Sequence, residues 1–273
     1  GVASEHVQQT LKKTRSEAME ARRSAGVGRG CIFCSRSDRG FGKREHIFPE
    51  SIGNTTIVLE NGVVCDHCNG HVLNHLDEAL CEFSLIKFFR TTYGVPSKAG
   101  KVPEFKFPKG TITQKSKNEM LIKLNDPRDT YTWVETPRDD GMVDIRLRFK
   151  MHKAMTEEQA EMLARALLKI GYECLWRQLG EEVLDSQYDH VRDAVLNGGH
   201  AGFLVVKNST DEISPTSGCK VARIPLSEIQ LPAIAVECSI FGLCMLTCSR
   251  MLDLPDHMLG DDFQVFAFGE RAE

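Results

Sequence analysis

Four cysteines stand in two pairs, Cys31-Ile-Phe-Cys34 and Cys65-Asp-His-Cys68, with thirty residues between them. A two-residue gap lets both sulfurs of a pair reach one ion. Zinc takes four ligands in a tetrahedron, and thiolates suit it. Two such knuckles complete the shell and leave no open position, so the spacing predicts a structural zinc site. A redox role for either C-x-x-C is the weaker reading, because neither follows a strand and opens a helix as thioredoxin-type motifs do. The other six cysteines, Cys81, Cys174, Cys219, Cys238, Cys244 and Cys248, lack this pairing and read as small buried hydrophobes.

Between and just after the knuckles lie the residues able to do other chemistry. The run Lys43-Arg44-Glu45-His46-Ile47-Phe48-Pro49 places an acid, an imidazole and two cations together. Asn54, Asn61 and Asn69 follow, the last directly after Cys68. Taken in order, the knuckles, the acid–His pair, the following proline and the terminal Cys-Asn resemble the HNH, or ββα-metal, endonuclease superfamily. The likeness is to the subgroup with two zinc knuckles and a Cys-Asn ending, and it covers about residues 31–83.

That resemblance implies a β-hairpin and a helix that jointly hold one catalytic divalent ion, Mg2+ or another such as Mn2+ or Ni2+. It implies hydrolysis of DNA phosphodiester bonds to a 5′-phosphate and a 3′-hydroxyl. His46 matches the general base, a task for which an imidazole is suited near neutral pH. Glu45 matches the acidic metal ligand and Asn69 the last metal ligand. Asn61 matches the middle Asn that braces the loop carrying the base, and Asn54 is the alternative for that role. Lys43 and Arg44 flank the site, where they could meet phosphates.

The elements that must position these groups give a partial check. Asn69 to Phe83 reads as a helix. At 100° per residue, Val72, Leu73, Leu76, Leu80 and Phe83 form its apolar stripe, with Asn69 projecting into the middle. The stripe would pack on the preceding hairpin, so Asn69 would point at His46. A simple helix cap is the other reading of Asn69. His71 and His75, spaced for a metal, fall on the opposite face and read as solvent-facing. Glu45 and His46 are neighbours, and on a regular strand they would face opposite ways. A shared site therefore needs a strand end or a bulge there.

The rest of the chain adds scaffold. Ser4 to Ala25 reads as a polar helix, and residues 11–44 hold ten Lys or Arg against three acids, an arm able to contact phosphates or simply to be solvated. Prolines and glycines over residues 96–110 suggest a linker. Beyond it, strand-like runs are expected at Glu119–Leu124, Thr130–Glu135 and Met142–Lys150. Thr156 with Gln159 forms a capping box that opens a helix ending at Gly180. A second helix runs from about Ser186 to Leu196. Strands are expected at Gly202–Val206, Lys220–Ile224, Ala233–Cys238, Leu243–Thr247 and Gln264–Phe268. The fold class is α+β: a basic arm (1–30), a zinc-stapled ββα-metal domain (31–95) and a mixed α+β C-terminal domain (96–273).

Composition narrows the function. The chain of 273 residues carries a formal net charge of −4, and no apolar run reaches the length of a membrane span. No leader-like pattern opens the sequence, so a reducing, cytoplasmic setting is expected. Beyond residue 90 there are 22 basic and 27 acidic residues, which argues against a second DNA clamp. That two-thirds of the chain shows no Walker loop, dinucleotide fingerprint or nucleophile elbow. Substrate selection, partner sensing and homo-oligomerisation are all open to it. Nuclease domains joined to such modules occur in restriction and phage-defence systems, which is analogy at the level of fold. Against the DNA endonuclease stand two alternatives: a non-catalytic zinc-ribbon nucleic-acid-binding module, and a nuclease acting on RNA.

Overall fold

The capping box closes as expected. Thr156 Oγ1 accepts from the Gln159 main chain at 3.2 Å, and the Gln159 side chain accepts from the Thr156 main chain at 3.1 Å. It opens the long helix α3 (Glu157–Leu179), which stops at Gly180. In the computed structural model, the residues described are 30–108, 110–116, 119–125, 134–137, 143–146, 155–199, 202–207, 217–226, 229–250 and 263–268. The expected helix at Ser4–Ala25, and with it most of the basic arm, lies outside them.

Two helices precede α3 among these residues, α1 (Asn74–Glu82) and α2 (Ser84–Thr92). One follows it, α4 (Asp189–Asn197), entered through a 3-10 turn at Ser186–Tyr188. Strands β1 (Phe105–Phe107), β2 (Gly110–Ser116) and β3 (Glu119–Leu124) form an antiparallel meander. β4 (Val134–Pro137) and β5 (Val143–Arg146) pair by themselves. The main sheet is antiparallel, in the order β10-β6-β9-β8-β7. Its strands are β6 (Gly202–Lys207), β7 (Ser217–Leu226), β8 (Ile229–Ile240), β9 (Leu243–Cys248) and β10 (Phe263–Phe268). Helices on an antiparallel sheet make this an α+β fold.

Helix α2 and strands β1 and β2 were not foreseen. Residues 96–110 read as a linker, yet their end enters the meander: Phe105 lies opposite Ile112. Phe105 also sets its ring edge-on to Phe88 of α2. Ring contacts of half-buried aromatics hold this segment, and no periodic pattern announces it.

Helix α3 is the centre of the molecule. From Ala166 to Glu173 every residue is buried. One side lies on the main sheet, where Gly171 lets the backbone approach closely: a Cβ there would stand 2.3 Å from Val236 Cγ2. The other side lies on the zinc-knuckle segment. Tyr172 stacks at a tilt on Phe33, 5.4 Å between ring centres, and its hydroxyl donates to the Val183 carbonyl at 2.8 Å. Ile32, Phe33, Ile47, Phe48, Leu73, Leu76 and Leu80 therefore share one continuous buried cluster with α3 and the sheet. Full burial around a helix fits a core element between two layers.

Candidate zinc and nuclease site

The four Sγ atoms of Cys31, Cys34, Cys65 and Cys68 all lie within 4.8 Å of one another. A tetrahedron with bonds of about 2.3 Å has edges of about 3.8 Å. Cys34 and Cys65, at 3.7 Å, match such an edge, so the residues fit a closed zinc site. Local sequence builds each knuckle. The Cys31 amide bonds the Arg36 carbonyl and its own carbonyl receives the Ser35 amide, which curls the first loop. Gly30 is packed under that loop, and a Cβ there would stand 2.1 Å from the Ser35 carbonyl oxygen. In the second knuckle Cys65 caps a helical turn, its Sγ accepting from the Cys68 amide at 3.4 Å. The thiol of Cys68 hydrogen-bonds Cys31 and lowers the Cys31 pKa to about 5; the same bond, with burial, raises Cys68.

Asp66 ties the knuckle to the cationic run. Its carboxylate accepts the amides of Lys43 at 2.8 Å and Gly42 at 3.2 Å, which lowers its pKa. Lys43 and Arg44 are both exposed, available to a polyanion.

His46 stands in a two-stranded pairing opposite Val58. The Ile47 amide bonds the Ile57 carbonyl at 3.1 Å and the Leu59 amide bonds the Glu45 carbonyl at 2.8 Å. These two bonds flank an isolated antiparallel bridge, and burial alternates around it. Glu45, Ile47 and Leu59 turn to the core, at 4 %, 0 % and 2 % exposure. His46 turns the other way and is half-buried, and its Nδ1 has no hydrogen-bond partner among the described residues. At this bridge Glu45 is buried and His46 is half-buried, on opposite sides of the backbone.

Glu45 meets a cation from α3 instead. Its Oε1 lies 2.6 Å from Lys169 Nζ. Lys169, fully buried, also donates to the His46 carbonyl at 2.9 Å and to Asp77 at 3.1 Å, and stands 3.5 Å from Glu173. Burial works against the charge on Lys169, but Asp77, Glu173 and Glu45 outweigh it and raise its pKa. Burial raises Asp77 to about 6 and pushes Glu173 well above the usual carboxylate range. Lys169, Asp77 and Glu173 were missed in the sequence. Their one signal was a charge inside an apolar helical run, as in Leu167-Leu168-Lys169-Ile170.

Asn69 reaches the hairpin directly: its Nδ2 donates to the Arg44 carbonyl at 3.1 Å. The route differs from the expected one. Residues Asn69–Leu73 form a π turn between a helical turn (Asp66–Cys68) and α1, so regular 100° spacing does not hold across it. With Nδ2 committed to Arg44, Oδ1 is the atom that could coordinate an ion. The predicted stripe survives as Leu73, Leu76 and Leu80, all buried, while Val72 and Phe83 are half-buried. His71 and His75 are exposed, as the helical face implied.

Of the two asparagines considered for bracing the loop, Asn54 is the one bonded into it. Asn61 is exposed in a turn next to Gly62. Asn54 is buried and donates to the carbonyls of Phe48 at 2.8 Å and Ile57 at 3.0 Å, while its Oδ1 accepts from the Ile57 amide at 2.9 Å. It closes the loop after His46 onto the returning strand. Position relative to Cys65 favoured Asn61, but distance along the chain says little about which amide is inside the loop.

Residues 31–83 match the family model described as HNH endonuclease. This segment is similar to HNH endonucleases. The match covers under a quarter of the chain, and its bounds enclose both knuckles, His46 and Asn69. No curated protein and no solved structure matched the chain. The HNH segment implies a nucleic-acid substrate and nuclease chemistry. No helix among the described residues is long and apolar enough to cross a membrane. For the divalent ion of HNH nucleases, the free donor on this side is the Asn69 amide oxygen, while the Glu45 carboxylate is engaged with Lys169.

Proposed function

We propose that the protein is a divalent-metal-dependent endonuclease that hydrolyses DNA phosphodiester bonds, with His46 as general base. The observation that carries this reading is His46 itself. It is half-buried inside an HNH segment, with an imidazole nitrogen that no protein group occupies. His46 takes a proton from water as the water oxygen bonds phosphorus. The bond from phosphorus to the 3′ oxygen breaks, that oxygen gains a proton from solvent, and the products carry a 5′-phosphate and a 3′-hydroxyl. A divalent ion, when bound, supplies Lewis-acid stabilisation of the charge on the leaving oxygen. Asn69 is the ligand placed best for it. Glu45 is the acidic ligand expected from the family, and its carboxylate here pairs with Lys169. Lys43 and Arg44 orient the backbone by phosphate contacts.

Plasmid cleavage by the zinc-loaded protein with Mg2+, Mn2+ or Ni2+ tests this, with RNA run in parallel. Wild-type cleavage of DNA that His46→Ala abolishes is the expected result. Cleavage by His46→Ala at the wild-type rate overturns the role of His46. Salt-sensitive binding without cleavage of either polymer returns the protein to the zinc-ribbon binding class, and preference for RNA changes the substrate.

A further inference from the structure

Lys169 lies more than eighty residues beyond the end of the family match, yet its ammonium ends at the base. One donated hydrogen bond goes to the main-chain carbonyl of His46, at 2.9 Å. A second contact, 2.6 Å, holds the carboxylate of Glu45, the residue before it. A third goes to Asp77 on α1, the helix that follows Asn69. The side chain has no exposed surface, so it touches neither solvent nor any substrate. One point charge thus fixes the strand of the base, and the helix behind the candidate ligand, from the core side.

We propose that Lys169 is a positioning residue of the nuclease site, so that helix α3 of the C-terminal half completes the HNH segment. The inference rests on the reading of His46 as general base. Three features support a positioning role over filler in the core. A buried cation is costly unless paired, and replacing such a cluster by apolar side chains is often neutral or stabilising. The ammonium bonds the peptide of His46 itself, where a shift changes the direction of the imidazole. Finally, the strand of His46 has only a short pairing, two flanking hydrogen bonds around His46 and Val58, to fix it from the solvent side.

The test uses the full-length zinc-loaded protein and the variants Lys169→Met and Asp77→Asn/Lys169→Met/Glu173→Gln. The triple variant removes two of the buried carboxylates that would otherwise lose their counter-ion, so it covers the case in which Lys169→Met alone does not fold. Zinc content and cooperative melting establish the fold. The readouts are kcat and KM for plasmid cleavage with Mn2+, and the imidazole 15N resonances of His46, assigned by their loss in His46→Ala. The expected result is a fall in kcat on the order of 100-fold, the scale of a misplaced catalytic group. KM stays within about 2-fold, as for an interaction that matters only in the transition state. The His46 resonances move in step. A folded, zinc-loaded variant with wild-type kcat and unmoved His46 resonances overturns the proposal. Should the wild type cut nothing, the nuclease reading fails alone. The resonances then still decide: displacement in the variants supports Lys169 as the residue that places His46, and unmoved signals overturn it.

Discussion

The side-chain amide of Asn54 donates to the carbonyl of Phe48 at 2.8 Å, closing a loop that begins two residues after His46. The same side chain bonds both the amide and the carbonyl of Ile57. Removing it strands buried main-chain groups, which cost about 1–3 kcal/mol each when left unpaired. Asn54→Ala should therefore lower stability by about 2–3 kcal/mol in urea denaturation and reduce cleavage. Asn61→Ala, in an exposed turn, should stay within about 0.5 kcal/mol of wild type. The reverse ranking would return the bracing role to Asn61.

The zinc site should respond to acid in a defined sense. Metal needs thiolates, so binding weakens as they protonate. In the metal-free cluster the bond from Cys68 already lowers Cys31 from 9.0 to about 5. A depressed pKa contributes stability in full above the ordinary value. That contribution shrinks as pH drops from about 9 and is gone below about 5. Zinc release followed with a chromogenic chelator should be slight at pH 7 and rise steeply toward pH 5, with loss of the fold of residues 31–83 by circular dichroism. Full retention of zinc at pH 4 would contradict a four-thiolate site. Cys65→Ser, which keeps a capping oxygen for the Cys68 amide but removes a thiolate, should lose the metal at neutral pH.

Legibility in the sequence followed the range of the interactions. The knuckles, the capping box of Thr156 and Gln159, and the strand Glu119–Leu124 are local, and residue spacing announces each one. His46 was legible because the knuckles bracket it. Glu45 was legible as a conflict: strand alternation warned that it would face away from His46, and beside the isolated bridge to Val58 it is buried. What it would meet there was not legible, since Lys169 lies in a different part of the chain. The π turn at Asn69–Leu73 escaped for a related reason. It coincides with a bond from Asn69 to Arg44, a contact 25 residues apart that composition does not announce.

Asp77 offers a test of the buried charge cluster through pH. Burial raises its pKa from 3.8 to about 6, against the pull of Lys169. A raised carboxylate pKa favours the fold most below the unfolded value. That contribution is lost as pH rises through about 6. Asp77→Asn mimics the protonated side chain at every pH. The variant should lose ground to wild type least, or gain most, above pH 7, and compare worst near pH 4. The swing between those limits should not exceed about 3 kcal/mol, the equivalent of two pH units. Chemical denaturation of both proteins at pH 4 to 8 measures it. A swing of opposite sign would mean that Lys169 outweighs burial at Asp77.

Gly171 and Val236 give the last prediction, on the seating of α3. A Cβ on Gly171 would stand 2.3 Å from Val236 Cγ2 and 2.9 Å from Cγ1. No side chain accepts that approach, so Gly171→Ala must push the helix off the sheet or force Val236 from its rotamer, at about 1–3 kcal/mol. Ala is otherwise the better helix former by about 1 kcal/mol, so a loss here measures contact and not propensity. Val236→Ala removes both methyl groups and opens the space. In a double-mutant cycle, Gly171→Ala should cost much less in the Val236→Ala background, with a coupling of at least about 1 kcal/mol. Because α3 carries Lys169 two positions earlier, Gly171→Ala should also slow cleavage, and Val236→Ala should restore part of it. Additive stabilities would show that the helix and sheet are not in contact at this point.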